Sequence, residues 1–159
     1  MRHACFPPIV DDLTETLILG SLPGAASLAE GRYYANPRNQ FWRLVGGAIG
    51  VDLQALDYDA RLATLRAHGV GLWDVVAEAA RAGSLDAAIR DPTPNDLPDL
   101  VRSLPALRTI AFNGGTAARI GMAQLGAQSD GLRLFKLPSS SPAYTLSFEA
   151  KRSAWRAII

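Results

Sequence analysis

The sequence predicts an α/β domain organised on a largely parallel, four-stranded sheet, and three observations carry that prediction. Four short apolar runs, at Leu17–Leu19, Val70–Val76, Thr109–Phe112 and Leu132–Leu137, are spread along the chain. Between them lie stretches whose apolar residues recur at helical spacing. Three of the runs lead straight into small or polar segments: Gly20-Ser21-Leu22-Pro23-Gly24, Asn113-Gly114-Gly115 and Pro138-Ser139-Ser140-Ser141-Pro142. In parallel sheets ligands bind beyond the carboxyl ends of the strands, so these loops and Asp74, near the end of its own run, should share one edge.

Taken in order, residues 1–12 carry Pro7-Pro8 and no period, and read as an extended arm. Glu15 to Gly20 is the first strand. A long polar and aromatic loop follows, and helical periodicity resumes at Gln40 to Ile49 through Phe41, Leu44, Val45 and Ala48, with Gly50 as a stop. Loops of this length inside a compact domain are more often functional than decorative. Asp59 to Ala67 is a short helix with Asp59 as its expected cap. Val70 to Val76 (VGLWDVV) is one strand buried on both faces. Residues 78–95 are irregular, with a helical turn near Leu85 and a proline-rich loop, DPTPND. Helices are expected at Asp96–Ser103 and Thr116–Leu125, around the third strand at Thr109–Phe112. The fourth strand, Leu132–Leu137, precedes a closing amphipathic helix, Phe148–Ile159, with Trp155, Ile158 and Ile159 inward.

Length and composition narrow the function. At 159 residues, with 48% hydrophobic and 19% charged residues, the chain makes one folded domain with one core. No apolar run is long enough to span a membrane and residues 1–10 hold no apolar signal core, so a cytoplasmic protein with no membrane partner is expected. A single cysteine, Cys5, and two histidines, His3 and His68, leave no ligand set for a zinc site or an iron–sulfur cluster. No metal and no cofactor are expected. The net charge is +1, yet beyond Leu100 the charges are mostly basic (Arg102, Arg108, Arg119, Arg133, Lys136, Lys151, Arg152, Arg156) against only Asp130 and Glu149. That third suits a nucleic-acid face or an ordinary solvated surface equally well.

The motifs exclude familiar nucleotide chemistry. GSLPG lacks the Lys-Ser/Thr of a phosphate-binding loop and the GxGxxG of a dinucleotide site; its small residues say only that backbone approaches something closely. No G-x-S-x-G elbow supports a serine esterase among the clustered serines. Asn39 stands where it can cap the helix that follows, Asn113-Gly114 is a turn signal, and Ser139, Ser140 and Ser141 form either an exposed loop or a neutral phosphate grip. Asp74 is the one carboxylate in an apolar run, and a buried acid needs a hydrogen bond or a function.

In sequence, GSLPG, YYANPRNQFW, FNG and LPSSSPA resemble the successive motifs of the uracil-DNA glycosylase superfamily, nearest its mismatch-specific and hypoxanthine-DNA glycosylase branch. The resemblance runs from Leu17 to Ala143. It implies a three-layer α/β/α sandwich with a central, mostly parallel four-stranded sheet and a monomeric enzyme. Its partner is DNA holding a damaged or mismatched base, and the base is flipped out and hydrolysed from its sugar. In mismatch-specific uracil members the first motif reads G-I-N-P-G, and its Asn positions the attacking water; here Leu22 stands in that place. The fourth motif usually carries His or Asn where this chain has Leu137. The hypoxanthine-type branch has a GSxPG-like first motif and relies on the Asn before Q/x-F-W, which is Asn39. By the same resemblance Tyr34 stacks on the flipped base and Asn113 reads its edge. Gly20, Ser21, Leu22 and Asp74 complete the base pocket, and the three serines hold the DNA backbone. Tyr144 and Ala143 are candidates for the wedge that fills the emptied stack. No lysine lies in the opening loop, so no strand cleavage through a Schiff base is expected. The alternative is a non-catalytic nucleic-acid or nucleotide-binding module, its site decayed at Leu22 and Leu137.

Overall fold

A computed structural model of the chain describes residues 2–159. In chain order it contains β1 (Arg2–Ala4), β2 (Thr16–Gly20), α1 (Ala25–Glu30), α2 (Phe41–Ile49), α3 (Tyr58–Ala67), β3 (Val70–Asp74), β4 (Val76–Ala80), β5 (Arg90–Pro94), α4 (Leu97–Ser103), β6 (Thr109–Asn113), α5 (Gly115–Leu125), β7 (Arg133–Leu137) and α6 (Phe148–Arg156). Four strands pair in the order β3-β2-β6-β7, every pair parallel. Register places Gly20 beside Asp74 and Asn113 beside Leu137, so the strand ends are level and their loops converge.

The continuous apolar runs are explained by layers on both faces of this sheet. Within β2, Ile18 belongs to a cluster with Phe41, Leu44 and Val45 of α2, Leu62 and Leu65 of α3, and Trp155 of α6. Leu17 and Leu19 point the other way, to Leu97 of α4 and Ala117, Ala118 and Leu125 of α5. The period of 2 along a strand thus feeds two cores. The three-layer α/β/α sandwich around a parallel four-stranded sheet is the observed architecture.

Outside it the structure departs from the sequence reading. A second sheet, order β1-β4-β5 and antiparallel, is built from segments expected to be irregular. The arm of residues 1–12 supplies β1 and a bridge from Ile9 to Leu72. The run 70–76 is two strands, interrupted at Val75, which leaves the parallel sheet so that Val76 can enter the other. DPTP is β5, exposed along its whole length and lying at a sheet edge, where missing proline N–H groups cost no ladder bonds. Part of the long loop folds as α1, entered through Gly24 and closed by Gly31. Asp57, not Asp59, caps α3, its carboxylate accepting from Ala60 N–H at 2.8 Å. Ile158 is buried, but Ile159 lies beyond the last turn of α6 and is 57% exposed.

Candidate active site

A cavity of about 780 Å³ opens at the carboxyl ends of β2, β3 and β6. It is lined by Gly20–Ser27, Tyr33 and Tyr34, Asn36, Arg38 and Asn39, Asp74, residues 84–87, Asn113 and Ser139–Tyr144. Every candidate site residue named from the sequence therefore borders one space. Their roles in it differ.

The first wall is a network of partnered polar groups. The Asn113 amide donates to Ser140 Oγ at 2.9 Å and to Tyr34 Oη at 3.2 Å, and its Oδ1 accepts from Ser140 N–H at 2.9 Å. Both of its donors are committed within the protein, so Asn113 ties the end of β6 to the serine loop and to the aromatic loop. Ser140 is 1% exposed, which removes its hydroxyl from the expected phosphate grip and makes it part of the wall. Ser139 and Ser141 are half-buried; their hydroxyls accept from the N–H groups of Ser141 and Ala143. Gln40 N–H donates to Ser140 O, and Lys151 Nζ donates to Gln40 Oε1 at 2.9 Å and to Ser141 O at 3.2 Å. Lys151 is 1% exposed, and burial lowers its pKa. Sequence reasoning placed it only among surface cations. The signal was its spacing: Lys151, Trp155 and Ile158 fall on one helical face, and all three are buried.

Asn39 Oδ1 accepts from Phe41 N–H at 2.9 Å, an Asx turn leading into α2; the cap position itself is Gln40, one residue on from the one the sequence suggested. An amide oxygen has a second lone pair, and the Asn39 NH₂ has no acceptor among the described residues, so the turn leaves polar capacity toward the cavity. Tyr34 adopts φ 51°, a left-handed conformation uncommon outside glycine. One face of its ring is stacked on Phe41, with centroids 3.8 Å apart and planes 6° from parallel. A base can meet only the opposite face. Tyr33 is a core residue, 4% exposed, its hydroxyl donating to Pro7 O.

The floor is different. Asp74 is 4% exposed at the end of β3, and its carboxyl takes no hydrogen bond among the described residues; Oδ2 is fully enclosed. Burial first, and the Asp86 carboxylate second, push its pKa up to about 7, against a smaller opposing effect of Arg81. A Cβ on Gly20 would stand 2.7 Å from Asp74 Oδ1 and 2.9 Å from Tyr34 Oη. Only glycine lets those two groups converge on one point.

Beside the floor, residues 81–86 clasp the GSLPG turn. Arg81, 6% exposed, donates to Leu22 O at 3.5 Å and to Pro23 O, and lies 3.9 Å from Asp86. Ser21 Oγ donates to Asp86 Oδ1 at 2.6 Å, and Ala25 N–H donates to Ser84 Oγ at 2.8 Å. The Ser21 hydroxyl is thereby committed, while the N–H groups of Ser21 and Leu22 have no acceptor among the described residues. Sequence reasoning expected the helical turn near Leu85, which the structure has at Asp86–Ala88, but missed Arg81, Ser84 and Asp86, because no motif marked that segment. Leu22 itself is 6% exposed and packs with Val75, Val76 and Leu97. Leu137 is 4% exposed in the opposite core. Among the described residues no group of three or more His, Cys, Asp or Glu side chains could hold a metal ion, and no helix is long and apolar enough to cross a membrane.

The arrangement can enclose a flat, polar-edged group, offer it backbone N–H donors and a carboxyl, and hold a water near Asn39. The likeness to known proteins runs along nearly the whole chain. A model of the uracil DNA glycosylase superfamily matches residues 7–159. A protein of Methanosarcina acetivorans named hypoxanthine DNA glycosylase is 43% identical over 96% of this chain and 95% of its own. One of the same name from Methanosarcina barkeri is 39% identical over 98% of this chain and 96% of its own. The solution NMR structure of a Methanosarcina acetivorans protein, provisionally named a uracil DNA glycosylase, aligns with TM-score 0.87 and 42% identity over 99% of this chain and 96% of that one.

Proposed function

Because the chain belongs to the uracil DNA glycosylase superfamily, we propose that it is a monofunctional DNA glycosylase that flips a deaminated base, hypoxanthine foremost, and hydrolyses its N-glycosidic bond. The observation that carries this reading is the convergence of Asn39, Tyr34, Asp74 and the free N–H groups of Ser21 and Leu22 on one cavity at the strand ends. The names of the two Methanosarcina relatives support hypoxanthine as the substrate.

Bond cleavage leaves an oxocarbenium-like sugar, as in glycoside hydrolysis, and so electrophilic a carbon needs an oriented water more than a strong base. Asn39 orients it, held by its bond to Phe41 N–H. The departing base carries the bonding electrons away, and N–H donors at its keto oxygen stabilise them; removing one such donor costs about 3 kcal/mol of barrier. Tyr34, backed by Phe41, supplies the stacking face, worth about 1–3 kcal/mol per base. Ser139 and Ser141, at the cavity rim, contact the DNA backbone. Tyr144, 49% exposed beside them, takes the place vacated in the duplex. Extrusion costs a few kcal/mol and least for a mispaired base, so the opposing base should matter. The enzyme acts as a monomer in the cytoplasm, without metal or cofactor.

The test uses duplex oligonucleotides carrying hypoxanthine, uracil, xanthine or thymine in defined pairs, followed by alkaline cleavage at abasic sites. Hypoxanthine should be released fastest, and Asn39→Ala should lose on the order of 100-fold or more in single-turnover rate. No abasic product from any substrate would refute the reading; an unimpaired variant would refute only the role of Asn39.

A further inference from the structure

We propose that the Asp74 carboxyl is the acid of this reaction, donating its proton to N7 of the flipped 6-oxopurine as the base departs. The inference rests on the glycosylase reading above and assigns the group that neutralises its leaving base.

Geometry isolates this carboxyl. Asp74 is fixed from behind, where Asn95 Nδ2 donates to its backbone carbonyl at 2.7 Å, and from the side, where β3 pairs with β2 in a register that sets it beside Gly20. Oδ1 lies on the cavity side, next to Gly20 and Tyr34 Oη. Oδ2 is enclosed with no donor, although a guanidinium belongs to the same neighbourhood. Arg81 is turned away to Leu22 O, Pro23 O and Asp86, and its own Nε is likewise unpartnered. A buried carboxyl with no donor is held as the neutral acid far more easily than as the anion. With Oδ2 enclosed and unpartnered, the proton of the neutral acid has its one outlet through Oδ1, on the cavity side where a ligand edge can reach it.

The remaining groups on the cavity do not offer that proton. The groups facing Asp74 are Asp86, Arg81, Tyr33, Tyr34 and Cys5. Burial holds Tyr33, Tyr34 and Cys5 above their ordinary values, so they stay protonated through neutral pH. Asp86 accepts from Ser21 Oγ. Leu137 supplies no imidazole, and His3 bonds Arg81 O while His68 bonds Thr64 O, neither on the cavity. Asp74, with a pKa near 7, is poised where a general acid works best.

In the step itself the C1′–N9 bond breaks and its electron pair passes into the purine. The carboxyl O–H breaks and an N7–H bond forms, so hypoxanthine leaves neutral. Water adds its oxygen to C1′ and releases one proton, which restores the Asp74 acid. A purine has a free lone pair at N7 and uracil has no counterpart, so the device favours a purine.

Single-turnover excision of hypoxanthine would be followed from pH 5.5 to 9 with wild type and Asp74→Asn, alongside binding to DNA holding a reduced abasic site. Wild-type rates should fall about tenfold per pH unit above pH 7. The variant should lose on the order of 100-fold at pH 6 and show no such slope, with abasic-site binding within a factor of about two. A flat wild-type profile overturns the proposal whether or not the variant folds, as does a variant with wild-type rate and slope. If wild type releases no base at all, the glycosylase reading falls and takes this inference with it.

Discussion

The serine-loop wall and the floor of the cavity are built from the same kinds of residue, yet they differ in how completely their polar atoms are partnered. On the wall, the Asn113 amide, the Ser140 N–H and the Lys151 ammonium all donate to acceptors within the protein. On the floor, the Asp74 carboxyl accepts nothing and Arg81 keeps one nitrogen without a partner. A buried group whose hydrogen bonds are complete is architecture, because a substrate would have to break something to reach it. A buried group without them destabilises the free protein and is available when substrate arrives. Sequence reasoning put both Asn113 and Asp74 among the base-binding residues; hydrogen bonding in the structure separates them, with the Asn113 amide committed to the wall and the Asp74 carboxyl unpartnered.

Three substitutions test that contrast, in descending order of expected effect. Gly20→Ala places a methyl at the point where Asp74 Oδ1 and Tyr34 Oη converge, 2.7 and 2.9 Å away. Excision should fall on the order of 100-fold because the floor must move, and single-turnover kinetics would show it. Wild-type kinetics would mean the floor does not meet the base. Asn113→Ala leaves Ser140 N–H and its neighbours unpartnered inside the wall. Its main effect should be on stability, a loss of roughly 2–3 kcal/mol in urea unfolding. Lost activity at unchanged stability would return Asn113 to the base edge.

The smallest effect is also the most diagnostic of the floor. The folded-state pKa of Asp74, about 7, lies above its ordinary 3.8, so its contribution to stability is full below pH 4 and disappears as pH rises through 7. Asp74→Asn has no such dependence. At pH 8 the variant should melt higher than wild type by roughly 5 °C, and the gap should narrow at pH 5 and close only below pH 4. Calorimetry at the two pH values decides it; equal curves at both would mean the carboxyl is not held neutral.

Legibility in the sequence followed the same division. The parallel sheet was readable because strands buried on both faces must be apolar throughout, as Leu17–Leu19 and Ile110–Phe112 are. The antiparallel sheet was not, because β5 is exposed along its length and its DPTP looks like a turn. Motif order placed Gly20, Tyr34, Asn39, Asp74, Asn113 and the serines on one cavity. It missed Arg81 and Lys151, since burying a cation contradicts the usual surface assignment of these residue types. Partner atoms that are remote in sequence, such as Pro23 O for Arg81 and Ser141 O for Lys151, make such burial possible. Local pattern carries no record of them.

By the family resemblance Leu22 stands in the place of an Asn and Leu137 in that of a His or Asn, and each is packed into a different core. Restoring Asn at position 22 would empty an apolar slot against Val75 and Leu97 and insert an amide there, a cost of roughly 2–4 kcal/mol. A domain with ordinary stability of about 5–15 kcal/mol could absorb one such reversal but scarcely both. Each leucine is therefore held to its place by the core it fills, apart from any part it plays at the cavity.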